Sequence, residues 1–214
     1  MEKTHPLKEF LGTSLRHLWD LMVLNWMWFL CSLPIITIGP ATCAMYACTL
    51  KLSKDYPVNP ARDFLAAFRS NFRPAFVLGL LAGVIAVMAA GDIWFALQQT
   101  GSLQTLYLVI GILLATVFLT IASYAFALQS LFENPVKVQL ANAFKLAFVA
   151  PGKTVSLWMI TILPVLVLVA LPISWVAPVG FLYIMLGASG PAYLNAKTLH
   201  RVFDKVNGSP VIPD

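Results

Sequence analysis

The sequence predicts an all-α integral membrane protein of about six transmembrane helices, arranged as three hairpins, each preceded by an amphipathic helix at the cytoplasmic interface. Three observations predict it. Of the 214 residues, 59% are hydrophobic and 11% charged, against roughly 25% charged residues in a soluble domain. The apolar residues gather in runs long enough for a helix, rising about 1.5 Å per residue, to cross roughly 30 Å of hydrocarbon. Every Lys and Arg falls in one of four segments that flank or separate those runs.

The runs cover residues 20–38, 39–52, 74–97, 103–131, 154–171 and 175–195. The first pair is short for two perpendicular crossings, which need on the order of 40 residues. Either its second member is tilted against a locally thin bilayer, or the pair re-enters without crossing. Lys3, Lys8 and Arg16 precede this pair, and Lys51, Lys54, Arg62, Arg69 and Arg73 follow it. Lys137, Lys145 and Lys153 separate the second pair from the third, while Lys197, Arg201 and Lys205 close the chain. The turns at residues 98–104 and 172–174 and the bend at 34–40 carry no basic residue. By the positive-inside rule both termini are cytoplasmic and the hairpins point outward, in the cell membrane. Residues 1–205 form one membrane domain, and 206–214 a short polar tail.

The stretch before each hairpin repeats a pattern of apolar, basic, two variable, aromatic. It is found at Leu15-Arg16-His17-Leu18-Trp19, Phe68-Arg69-Ser70-Asn71-Phe72 and Phe144-Lys145-Leu146-Ala147-Phe148. Arg16, Trp19, Arg69, Phe72, Lys145 and Phe148 are therefore the expected interfacial anchors, basic groups toward headgroups and rings toward the acyl boundary. A second pattern, Tyr-Ala-x-x-Leu, occurs at Tyr46 to Leu50 and again at Tyr124 to Leu128.

Other classes are excluded by residue type and spacing. The net charge of +5 flanks apolar runs and points to headgroups, not nucleic acid. Cys31, Cys43 and Cys48 lack zinc spacing, and His5, His17 and His200 are far apart, so no metal or cofactor is expected. The first apolar run is too long for a signal peptide and lacks a small-x-small cleavage site, so it is expected to remain in the mature chain. Gly152-Lys153-Thr154 looks like the end of a phosphate-binding loop, but Ala147 stands where its first glycine belongs, and no soluble strand precedes it. With no nucleophile, acid and base constellation, an enzyme is not expected.

The strongest local feature runs from Ser32 to Thr42. Pro34 and Pro40 each remove a backbone donor, and Gly39 lets one helix end and another start. The first reading is a tight extracytoplasmic turn. The alternative is a helix break at membrane depth, where Thr37, Thr42 and the amides after Gly39 face a polar cavity. Asp92 is the one acid inside a long apolar run and a candidate for solute or proton handling; it also lies near the outer end of its span, within reach of interfacial water. Asn25 and Gln129 suit hydrogen bonds between helices, and Gly79-x-x-x-Gly83 suits close helix contact.

The string Asn25-Trp26-x-Trp28-x-Leu30-x-Ser32-Leu33-Pro34-Ile35-Ile36-Thr37-Ile38-Gly39-x-Ala41-Thr42, continuing through Ala44, Tyr46 and Leu50-Lys51, resembles the opening signature of the YesL family of small bacterial membrane proteins. Residues 64–73 and Phe132-Glu133-Asn134 are similar to later family segments. The resemblance covers most of the chain and weakens over the last two spans. It implies an unsettled activity and genes beside carbohydrate ABC importers of Gram-positive bacteria. The expected role is an accessory or assembly component that binds an importer's permease. The alternative is a small-solute transporter with a cavity near the Pro34 to Thr42 break and Asp92.

Overall fold

The computed structural model describes residues 6–207, and among these the chain is helical with no strand. Helix α1 (Pro6–Ser32) runs unbroken for 27 residues. This corrects the expected separate interfacial helix around Arg16 and Trp19: no Gly or Pro lies between Gly12 and Pro34 to stop the helix. Pro34 then ends it, because the residue before a proline is pushed out of the helical region. One 3₁₀ turn (Ile35–Thr37) leads into α2 (Ile38–Leu52).

Helix α2 is the axis of the fold. Gly39, Pro40, Ala41, Cys43, Ala44, Met45, Tyr46, Cys48, Thr49, Leu50 and Leu52 are all buried. Neighbours on several sides surround it: α1, then α3 (Pro60–Ser70), α4 (Phe72–Ala96), α6 (Phe126–Leu131) and α10 (Ser189–Asn207). Its small residues explain why a short helix can occupy the centre. They let neighbouring backbones approach, as membrane helices do in place of hydrophobic packing.

Local signals set the remaining ends. Asn59 accepts from the Arg62 amide at 3.3 Å while Asp63 accepts from the Asn59 amide at 3.1 Å, a reciprocal cap with Pro60 at the first helical position. Phe64, Phe68, Phe72 and Phe76 meet at successive centroid distances of 6.3, 5.5 and 6.2 Å, the outer pairs stacked and the middle pair edge-to-face, carrying one aromatic row from α3 across Asn71 into α4. Helix α5 (Ser102–Thr120) passes through a π turn (Ile121–Ala125) into α6 without a break. Helix α7 (Val136–Val149) meets α8 (Pro151–Ala170) at 110°, since Pro151 holds Ala150 out of the helix. The span expected at 175–195 is instead two helices, α9 (Ile173–Leu186) and α10, bent by 50° at Gly187 and Ala188.

Among the described residues, three helices are long and apolar enough to cross a membrane, Ile35–Leu52, Phe72–Ala96 and Ser102–Leu131; counting each bent pair as one span gives up to five. The described residues thus form an all-helical protein whose apolar helices fit a bilayer. Helices α4 and α5 pack on each other yet expose apolar side chains along their length, Val87 at 73% among them. Such a continuous apolar surface is stable in lipid and a liability in water. His5 and the tail from residue 208 onward lie outside the described residues.

Candidate functional site

The buried polar side chains converge on the ends of helices around α2. Asn25, 4% exposed on α1, spans the α9–α10 break. Its Oδ1 accepts from the amides of Ala188 at 2.9 Å and Ser189 at 3.0 Å, and its Nδ2 donates to the Ile184 carbonyl at 2.7 Å. One side chain thereby satisfies the last turn of α9 and the first of α10, groups a helix cannot satisfy internally. The expected helix-to-helix role of Asn25 is what the structure has. Gln129 is buried too, but its Oε1 has no partner.

The repeated Tyr-Ala-x-x-Leu pattern has a matching structural role at both places. The Tyr46 hydroxyl accepts from Asn195 Nδ2 at 3.3 Å, and that amide also donates to Thr161 Oγ1 at 3.1 Å. The Tyr124 hydroxyl lies 2.8 Å from Thr154 Oγ1, which in turn contacts the Ala147 and Ala150 carbonyls and so pins the α7–α8 elbow. Four residues on, the Leu50 carbonyl meets His200 Nε2 at 3.0 Å, and the Leu128 carbonyl accepts from Gln139 Nε2 at 3.3 Å. In each copy the tyrosine bonds one helix, and an imidazole or amide reaches the carbonyl a turn later. Although His200 stands in a polar sequence, it is buried against the end of α2. No sequence signal marked Asn195, Gln139 or His200, because their partners are set by helices that meet only in the fold.

The bend and Asp92 are not brought together. A Cβ on Gly39 would meet the Ala75 carbonyl oxygen and lie 2.7 Å from Gly79 Cα, so α2 crosses α4 with backbones touching at this pair. Gly79 thus makes the close contact expected of it, while a Cβ on Gly83 would meet open space. Asp92 lies thirteen residues beyond Gly79 on α4, about 20 Å along the axis. It is half-buried beside exposed Trp94. At the bend, the Thr37 hydroxyl lies 2.6 Å from both the Cys31 and Pro34 carbonyl oxygens, and Trp28 Nε1 donates to Thr42 Oγ1 at 3.1 Å. Pro34 is exposed and Pro40 buried.

Of the anchors, Arg16, Trp19, Arg69 and Lys145 are exposed, Phe148 is 83% exposed, and Phe72 is half-buried in the aromatic row. Lys145 also lines a cleft of about 300 Å³ with Asn134, Asn142 and Phe203. A second cleft, of about 380 Å³, opens at the α7–α8 elbow beside α10.

Residues 21–93 match the family described as "Protein of unknown function, DUF624". The chain is similar to that family over this segment. The matched segment holds Asn25, the bend, the Gly39–Gly79 crossing, the Asn59 cap and the aromatic row. Among curated proteins, the chain is 28% identical over 140 residues to the uncharacterized protein YesL of Bacillus subtilis (strain 168), covering 63% of this chain and 65% of that one. The alignment therefore spans a little under two thirds of the relative's length. No solved structure matches the chain.

Proposed function

We propose that the protein is an accessory subunit of the cell membrane that works by contact, binding the permease of a carbohydrate ABC importer or guiding its assembly in a Gram-positive bacterium. One observation carries this reading. The buried polar side chains Asn25, Tyr46, Tyr124, Gln139, Asn195 and His200 bind helix ends and neighbouring helices, whereas a transporter directs such groups into a wetted path. The surface left for a partner consists of the apolar flanks of α4 and α5 and the exposed rings of Trp19 and Phe148. The YesL resemblance supplies the importer.

Purification from a membrane that also holds the importer tests the reading. The permease is expected to co-purify. Solute uptake by the protein alone in liposomes, abolished by Asp92→Asn, would establish the transporter instead.

The membrane arrangement that best supports this role keeps the start of α1 and the end of α10 on the cytoplasmic side, with hairpins α4–α5 and α8–α9 crossing. The first hairpin enters one leaflet and returns. Gly39 meets α4 at Gly79, seventeen residues before Ala96, so the bend stops about 25 Å short of the outer turn. Its exposed residues are Leu33, Pro34, Ile35, Ile36 and Ile38, with Ile35 at 81%. Two prolines remove amide donors and Thr37 covers two carbonyls, which suits a turn among acyl chains. With Cys31, Cys43 and Cys48 replaced by alanine, a cysteine at Gln99 should react with impermeant maleimide from outside, and one at Ser53 only after opening the inner face. A cysteine at Ile35 should react from neither side; rapid labelling from outside would show a full crossing.

A further inference from the structure

The cleft at the α7–α8 elbow joins two parts of the chain that the sequence keeps about fifty residues apart. Gly152, Lys153 and Ser156 come from the first turns of α8, and Arg201 comes from α10. The elbow is held still: Thr154 contacts the Ala147 and Ala150 carbonyls and the Tyr124 hydroxyl, which fixes the backbone that carries Lys153. Lys153 and Arg201 are exposed, and among the described residues neither makes an ion pair. Among the described residues no carboxylate lines the cleft, so these two cations repel each other, and a bound anion relieves that repulsion.

The surroundings define what kind of anion fits. Phe148 and Val149 lie on one side of the elbow, and Val155 and Met159 continue down α8, all of them exposed and apolar. The volume of about 380 Å³ is headgroup-sized. A cationic cleft that opens onto an apolar strip matches an amphiphile whose charge is at one end. A basic pocket between membrane helices on the cytoplasmic side is where anionic headgroups are bound.

We propose that this cleft binds the phosphate of an anionic glycerophospholipid, with Lys153 and Arg201 as the phosphate ligands and the acyl chains lying along Phe148, Val155 and Met159. The proposal rests on the membrane reading above and deepens it by naming the lipid.

Reconstitution into nanodiscs of mixed phosphatidylcholine and phosphatidylglycerol, followed by native mass spectrometry of the released protein, tests this. Wild type should retain phosphatidylglycerol in preference to phosphatidylcholine. The double variant Lys153→Gln/Arg201→Gln should lose that retention by about tenfold or more, as expected for two basic groups at a lipid surface. The control Lys51→Gln/Arg62→Gln, which removes equal charge from exposed positions, should retain the lipid as wild type does. Equal loss in both variants, or no lipid preference in wild type, overturns the site. Displacement of the lipid by inorganic phosphate, but not by equal ionic strength of chloride, would assign the cleft to free phosphate and overturn the lipid. Failure to incorporate into nanodiscs at all would instead sink the membrane reading, so the two failures are distinguishable.

Discussion

Replacing Gly39 with alanine is expected to destabilise the protein by about 2–3 kcal/mol, the upper part of the range for forcing atoms into a packed contact. The reason is geometric. The added methyl meets the Ala75 carbonyl and the Gly79 Cα, which are backbone atoms that cannot rotate away. Helices α2 and α4 must then separate, and α2 is the element on which α1, α3, α6 and α10 also pack. Thermal unfolding of the detergent-solubilised protein measures the effect, with oligomer-free material checked by gel filtration. Gly83→Ala is the control of opposite sign: its Cβ meets open space, so the better helix propensity of alanine should leave the protein unchanged or stabilise it by about 0.5–1 kcal/mol. Equal melting of the two variants would show that the glycine crossing does not hold the bundle.

That crossing marks the boundary of what was legible beforehand. The helix break around Pro34 and Gly39 could be read because proline and glycine act locally, whatever lies nearby. Asn59 with Pro60 and Pro151 set the start of α3 and the elbow by equally local chemistry, though neither was among the expected breaks. Gly79 could be marked as a contact residue, but not as the partner of Gly39 in preference to Gly83, since both glycines present the same surface in sequence. The pattern around Arg16 and Trp19 misled for a related reason. Its composition suits an interface, and composition says nothing of whether the helix continues; the lack of a breaker up to Pro34 decides that. The Tyr-Ala-x-x-Leu repeat was visible as a string. Its role was not, because Asn195 and His200, which give it meaning at α2, stand 149 and 150 positions from Tyr46 and Leu50.

The second large effect is expected at Asn25. Leucine has the same branched heavy-atom skeleton as asparagine, so Asn25→Leu keeps the shape of the side chain while it removes the polar contacts. It strands the amides of Ala188 and Ser189 and the carbonyl of Ile184 at a site where Ser189 is fully buried. A buried polar group left unpaired costs about 1–3 kcal/mol, while membrane helices with other partners available recover much of that. Three stranded groups at the low end give a loss of about 3 kcal/mol. Asn25→Asp keeps an oxygen for both amides but loses the donor to Ile184, and its melting point should fall between those of the leucine variant and wild type. The order of the three proteins carries the test: a leucine variant that melts with wild type would mean that the α9–α10 joint is held by packing alone. The joint also sets the direction in which α10 leaves, and α10 brings Arg201 to the elbow. Asn25→Leu should therefore weaken phosphatidylglycerol retention as well, although Asn25 does not line the cleft, whereas Gln99→Ala in the α4–α5 turn should leave it unchanged.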